Sequence, residues 1–117
     1  MRVYVKLREG IWMLINKKIE QTTIAGKRRV TRYILAGERI EKPPELPENE
    51  SIEVPAVVVN KLISKLLDAE GGAITIFEPM GEDYYVVKVP RGMGGLVKSM
   101  LSWISGKKTR AKGKETS

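Results

Sequence analysis

The chain predicts an α+β domain, and three observations carry that prediction. Apolar and polar residues alternate strictly from Arg2 to Arg8, apolar side chains recur at helical spacing from Val59 to Leu67, and a proline-rich acidic stretch separates the two patterns. The expected architecture is a curved antiparallel sheet ordered β-β-β-(β)-α-β-β-α, packed against one or two helices. Residues 1–105 are expected to form one domain, followed by a disordered basic tail over residues 106–117.

Each element has a local reason. In Arg-Val-Tyr-Val-Lys-Leu-Arg, Val3, Val5 and Leu7 fall on one face of a strand and Arg2, Tyr4, Lys6 and Arg8 on the other. Glu9 and Gly10 make a turn into an apolar run over residues 11–20, so the first two strands are expected to pair as a hairpin. After a loop expected around Thr22 to Gly26, residues 27–36 read as a third strand. Arg28, Val30, Arg32 and Ile34 there oppose Lys27, Arg29, Thr31, Tyr33 and Leu35. From Glu41 to Glu50, three prolines and four acids favour an extended connection. Ile52 to Val54 form a short strand, and Pro55 suits the first turn of a helix over residues 56–69, which Gly71 and Gly72 end. Residues 73–78 and 84–89 read as a second hairpin. In residues 96–105, Leu96, Val97, Met100, Leu101 and Ile104 share one helical face.

Composition bounds the chemistry. The 117 residues contain 42% hydrophobic and 30% charged side chains, the profile of an ordinary globular chain. Neither cysteine nor histidine occurs, which removes thiolate chemistry, the commonest zinc ligands and the usual proton shuttle near neutral pH. A non-enzymatic protein without metal or cofactor is therefore expected. With no apolar run long enough for a membrane span and a strand-like pattern directly after Met1, a cytoplasmic location is expected. Only four Asn and Gln residues stand beside abundant Lys, Arg and Glu, which is a thermophile-like composition.

The net charge of +7 is segregated. Residues 1–42 hold eleven Lys and Arg against four acids, residues 43–90 three against nine, and residues 91–117 seven against one. Two basic regions flank an acidic one, and a polyanion is the partner such blocks fit.

The candidate nucleic-acid-binding residues follow from that placement. Arg2, Tyr4, Lys6 and Arg8 on one strand face combine cations with an aromatic ring that can stack a base, and Trp12, Lys17 and Lys18 extend the set on the next strand. Lys27, Arg28 and Arg29 with Arg32 and Tyr33 can reach several phosphates. Lys107, Lys108 and Arg110 in the tail complete it. A solvated basic surface that only maintains solubility is the plainer reading of each cluster.

Other constellations carry less. Arg91-Gly92-Met93-Gly94-Gly95 lacks the Gly-Lys-Ser or Gly-Lys-Thr of a phosphate-cradling loop and reads as a hinge. Glu78, Glu82 and Asp83 read as a solvated hairpin tip, and the helix over residues 96–105 has only Lys98 on its polar face, too little charge for a membrane-surface helix.

The strand order, the acidic connection and Ser51-Ile52-Glu53-Val54-Pro55 leading into an amphipathic helix resemble the sheet-then-helix unit of Whirly, PUR-repeat and related transcriptional-coactivator proteins. The resemblance spans about residues 2–69. It implies binding of single-stranded nucleic acid on the exposed sheet face, at Arg2, Tyr4, Lys6, Arg8 and Trp12. Ile-Glu-Val-Pro before a helix, glycines and a hairpin also looks like swapped-hairpin repressors and antitoxins, although the helix is too long for them.

The expected function is non-enzymatic binding of single-stranded DNA or RNA with little sequence readout, accessory to replication, transcription or chromatin. A protein-interaction subunit is the alternative, and an exposed edge strand leaves room for a homodimer.

Overall fold

A computed structural model describes residues 1–104 of the chain. The fold is α+β, built on one open six-stranded sheet in the order β3-β2-β1-β5-β6-β4. The strands are β1 (Arg2–Arg8), β2 (Ile11–Ala25), β3 (Arg28–Ile40), β4 (Asn49–Pro55), β5 (Ile74–Met80) and β6 (Tyr84–Pro90). A single 3-10 turn at Ala56–Val58 leads into α1 (Val59–Asp68), and residues 94–104 form a second helix, α2.

The sheet is mixed rather than wholly antiparallel. Two hairpin-built halves, β1-β2-β3 and β4-β5-β6, meet where β1 and β5 run parallel, with Val3 opposite Thr75 and Val5 opposite Phe77. Alternation within a strand encodes which face is buried and leaves the direction of a distant neighbour open.

One face of the sheet carries the helices. Val59, Leu62, Ile63 and Leu66 on α1 and Val97 on α2 are buried against Val3, Ile15, Val54, Phe77, Val87 and Val89. The i, i+3, i+4, i+7 spacing on α1 puts all four of its side chains on one stripe, and each fully buried Leu or Ile contributes about 1.5–3 kcal/mol. Leu96 was expected on the corresponding face of α2, but the stripe that packs on the core runs through Val97, Met100, Leu101 and Ile104, and Leu96, at its edge, is 43% exposed. Leu7, expected beside Val3 and Val5, is 48% exposed because the β1–β2 register shifts between Lys6 and Arg8.

The opposite face is crossed by the proline-rich connection. β3 and β4 occupy opposite edges of the sheet, so the chain after Ile40 must traverse five inter-strand intervals, about 24 Å, to reach Asn49. Nine steps of extended chain reach about 30 Å, so the connection has little slack, and Pro43, Pro44 and Pro47 hold it extended. Leu46 of this strap and Ile40 pack on a second cluster formed by Tyr4, Ile74 and Ile76. The strap's far end is tied by the amide of Arg91 donating to the Glu48 carbonyl (3.1 Å) and that of Gly92 to Glu50 Oε2 (2.6 Å).

β2 and β3 are far longer than the other strands. β1 pairs with β2 only up to Ile15, and past the bulge between Ile15 and Lys17, β2 pairs with β3 alone as far as Ala25 opposite Arg28. The region expected as a loop at Thr22 to Gly26 is thus ladder through Ala25, with Thr22 Oγ1 bonded to Thr31 Oγ1 across the strands (3.2 Å). The turn is Gly26-Lys27. Gly26 has φ +66°, the conformation that a two-residue hairpin loop requires at its first central position.

Candidate nucleic-acid interface

The distal β2–β3 hairpin, here called the arm, gathers Lys17, Lys18, Lys27, Arg28, Arg29 and Arg32 with Glu20 as its single acid. Its position depends on the bulge. Before it, Met13 and Ile15 pack with the helical side; after the extra residue Asn16, the parity changes and Lys18 and Glu20 take that side. Gly37 makes the bulge possible, since a Cβ there would stand 1.9 Å from the Leu14 carbonyl oxygen.

The bulge also steers the arm onto α1. Lys18 Nζ donates to Asp68 Oδ2 (2.5 Å), the Ser64 carbonyl (3.1 Å) and Ser64 Oγ (3.3 Å), while Ser64 Oγ donates to Glu20 Oε2 (3.2 Å). The hydrogen bond to Asp68 is the main reason the Lys18 ammonium holds its proton above the ordinary lysine range, and the charges of Asp68 and Glu20 reinforce it against partial desolvation. Ser64, although polar and on a helix, is buried beneath these contacts. Lys18 is consequently an anchor of the arm and not a free cation for a ligand.

With the base fixed, the rest of the arm lies beside the first turn of α1. Arg29, Thr31, Arg32 and Tyr33 form one wall of a groove of about 550 Å³, and Asn60 and Lys61 stand on the other. Register places Arg29, Thr31 and Tyr33 on the inner side of the ribbon, opposite Ile24, Thr22 and Glu20. Arg28 and Arg32 share the outer side with Lys17, Ile19, Val30 and Ile34, and the last three are 55%, 41% and 40% exposed. Among the described residues, Lys17, Lys27, Arg28, Arg29 and Arg32 form no ion pair.

The sheet-face half of the expected site is arranged differently. Tyr4 is only 5% exposed beneath Leu46 and the strap, so its ring is closed to a nucleic-acid base. Glu41, Glu45 and Glu48 accompany that strap and give the covered face an acidic border. Trp12 is half-buried beside the same cluster, with Lys6 Nζ 5.9 Å from its ring centroid. Lys6 also donates to Glu9 Oε1 (2.8 Å), a hydrogen bond that raises the lysine pKa and lowers that of Glu9. Arg8 and Trp12 lie at the end of β1–β2 remote from the arm. Trp12 and Lys27 stand about 40 Å apart along β2 at the usual strand rise. Arg2, at the other end of β1, borders the arm and donates to the Gly72 carbonyl (3.4 Å).

The structure therefore brings together Arg2, Lys17, Lys27, Arg28, Arg29, Arg32 and Tyr33 along the arm and separates Lys6, Arg8 and Trp12 from them. Lys107, Lys108 and Arg110 lie outside the described residues. Asn60, Lys61 and Thr31 are additions that the sequence reading missed. The signal available was the i, i+4 pair Lys61 and Lys65 on the exposed side of α1, but nothing local shows that the arm reaches them.

No family model, curated protein or solved structure matches this chain.

A second groove, of about 460 Å³, lies between the helices, where Lys61 and Lys65 of α1 face Met100, Trp103 and Ile104 of α2. Trp103 is 81% exposed. Among the described residues, no three Asp and Glu side chains come together to hold a metal ion, and no helix is long and apolar enough to cross a membrane.

Proposed function

We propose that this is a non-enzymatic nucleic-acid-binding protein of the cytoplasm, which holds the phosphate backbone of single-stranded DNA or RNA with its arm in the service of replication, transcription or chromatin. One observation carries the reading. Five cations on a two-stranded ribbon, Lys17, Lys27, Arg28, Arg29 and Arg32, have no acidic partner among the described residues, and Lys61 continues the positive surface across the adjoining groove.

Cations that are already paired contribute nothing new to a polyanion, whereas unpaired ones release condensed counterions from it. Arginine at three of the five positions adds planar, forked donors suited to phosphate oxygens. With Tyr4 covered, affinity comes from the arm rather than from stacking on the sheet face. Phosphate contacts carry no sequence information, so little sequence preference follows.

The experiment is fluorescence anisotropy of the full chain with labelled oligonucleotides of several unrelated sequences at low salt. The triple variant R28A/R29A/R32A is expected to weaken binding to all of them by a similar factor. Equal affinity of variant and wild type, or no binding by either, contradicts the proposal.

Trp103 favours a second reading, a protein-interaction subunit. An indole that stands 81% exposed beside Met100 and Ile104 is costly to leave in water and typical of a residue covered by a partner. Under that reading, Trp103→Ala abolishes partner binding and leaves oligonucleotide affinity unchanged.

A further inference from the structure

We infer that the groove between the inner side of the arm and α1 is a single-strand cleft, in which Tyr33 stacks on an unpaired base while Arg29 and Lys61 take the flanking phosphates. This rests on the nucleic-acid reading above and assigns it a place, a strand form and a stacking residue.

Groups of complementary kinds converge there. Arg29 and Lys61 supply positive charge from opposite walls, Thr31 and Asn60 supply neutral hydrogen-bonding groups, and Tyr33 supplies the aromatic ring. No acid lines the groove. Glu20, across the ladder from Tyr33, is held by Ser64 and Lys18 at the groove's inner end. A phosphate-bearing ligand therefore meets cations without a competing carboxylate on the walls.

The shape selects the strand form. Arm and helix are in direct contact at the inner end, through Lys18 with Asp68 and Glu20 with Ser64, so the groove is blind there and nothing can thread past that point. Its volume of about 550 Å³ is in the range of a small-ligand site. Bases in a duplex are stacked on each other, so a ring on the wall of a blind cleft can stack only on a base already free of its partner. Arg29, Thr31 and Tyr33 recur at every second position of β3, spanning about 13 Å, the rise of about four stacked nucleotides.

The outer side has the opposite character. Its cations Lys17 and Arg28, with Arg32, whose side chain also reaches the groove wall, are interspersed with exposed Ile19, Val30 and Ile34, and it carries no aromatic residue. Stacking is thus confined to the inner side, and this separates the cleft from general attraction by the arm's charge.

The test measures anisotropy of the full chain with a labelled oligothymidylate, the same oligomer carrying abasic spacers, and a duplex. Tyr33→Leu is expected to weaken the oligothymidylate about five- to a hundredfold, the usual cost of removing one stacked base, and Tyr33→Phe to restore it. The abasic oligomer is expected to bind wild type and Tyr33→Leu alike, and the duplex to bind wild type more weakly than the single strand. Arg29→Ala with Lys61→Ala is expected to weaken both single strands. All these positions are exposed or half-buried, and a circular dichroism melt checks that each variant folds. If Arg28→Ala and Lys17→Ala weaken binding while changes at Tyr33, Arg29 and Lys61 do not, the arm binds nucleic acid and the cleft assignment is overturned. If wild type binds no oligonucleotide at low salt, the underlying nucleic-acid reading fails as well.

Discussion

Lys18 Nζ lies 2.5 Å from Asp68 Oδ2, and this contact between β2 and α1 joins the arm to the body of the fold. Side chains 50 residues apart in sequence are fastened at one point that also engages buried Ser64. The arm's position over α1, and with it the groove, depends on this fastening.

Replacing the lysine should loosen the arm. Lys18→Met removes one charge-assisted hydrogen bond and two weaker ones, but Asp68 is largely exposed and solvent screens the pair, so the loss of stability is expected to be about 1 kcal/mol. Urea denaturation measures it. Trypsin cleavage at Arg28, Arg29 and Arg32 should accelerate in the same variant, because the ribbon is then held by fewer contacts.

The same contact has a defined pH response. The folded pKa of Lys18 is raised, so its contribution is complete below the ordinary lysine value of 10.5 and is lost as pH rises through the higher folded value. The difference in stability between wild type and Lys18→Met should therefore hold constant from pH 7 to pH 10 and shrink only in more alkaline solution. Paired thermal melts across that range check the sign; a difference that disappears between pH 7 and pH 9 contradicts it.

Gly37 is expected to be the least tolerant position in the arm's base. A Cβ at 1.9 Å from the Leu14 carbonyl oxygen meets backbone that cannot swing aside, so Gly37→Ala must break the bulge or separate the strands. We expect a cost of about 3 kcal/mol or more, read as a shift in the urea midpoint. Gly94→Ala is a useful contrast. Its new methyl group would meet the carboxylate end of Glu50, which can move, and the cost should be much smaller.

The strap can be tested at Leu46. Leu46→Ala removes its apolar contact with the Tyr4, Ile74 and Ile76 cluster and is expected to cost about 2 kcal/mol. Nitration of Tyr4 by tetranitromethane, followed by peptide mapping, should be slow in wild type and faster in this variant.

Much of the fold was legible because its causes are local. Val3 and Val5 alternate with polar residues and are indeed covered by helices, and the α1 stripe at Val59, Leu62, Ile63 and Leu66 is buried as its period requires. The division of the third strand into an Arg28, Arg32 side and an Arg29, Tyr33 side also matches the ladder register. Tyr4 shows where that reasoning stops. Alternation places it opposite Val3 and Val5, but its burial is decided by Leu46, which reaches it only because β3 and β4 occupy opposite edges. Thr22 and Thr23 read as loop because a polar ribbon held by cross-strand pairing has no apolar period. Lys61 was visible as a surface lysine of α1, but its neighbourhood with Arg29 depends on the Asn16 bulge and on the Lys18 anchor, two features without a local signature.

The most direct test of the arm as a backbone-binding element is the salt dependence of oligonucleotide affinity. For single strands, each phosphate contact contributes a slope of about 0.7 in log affinity against log salt, so five arm cations require a slope of about −3.5 or steeper. R28A/R29A/R32A should reduce its magnitude by about 2. A triple variant whose slope equals that of wild type would contradict the account, because the counterions released on binding would then be displaced elsewhere on the protein.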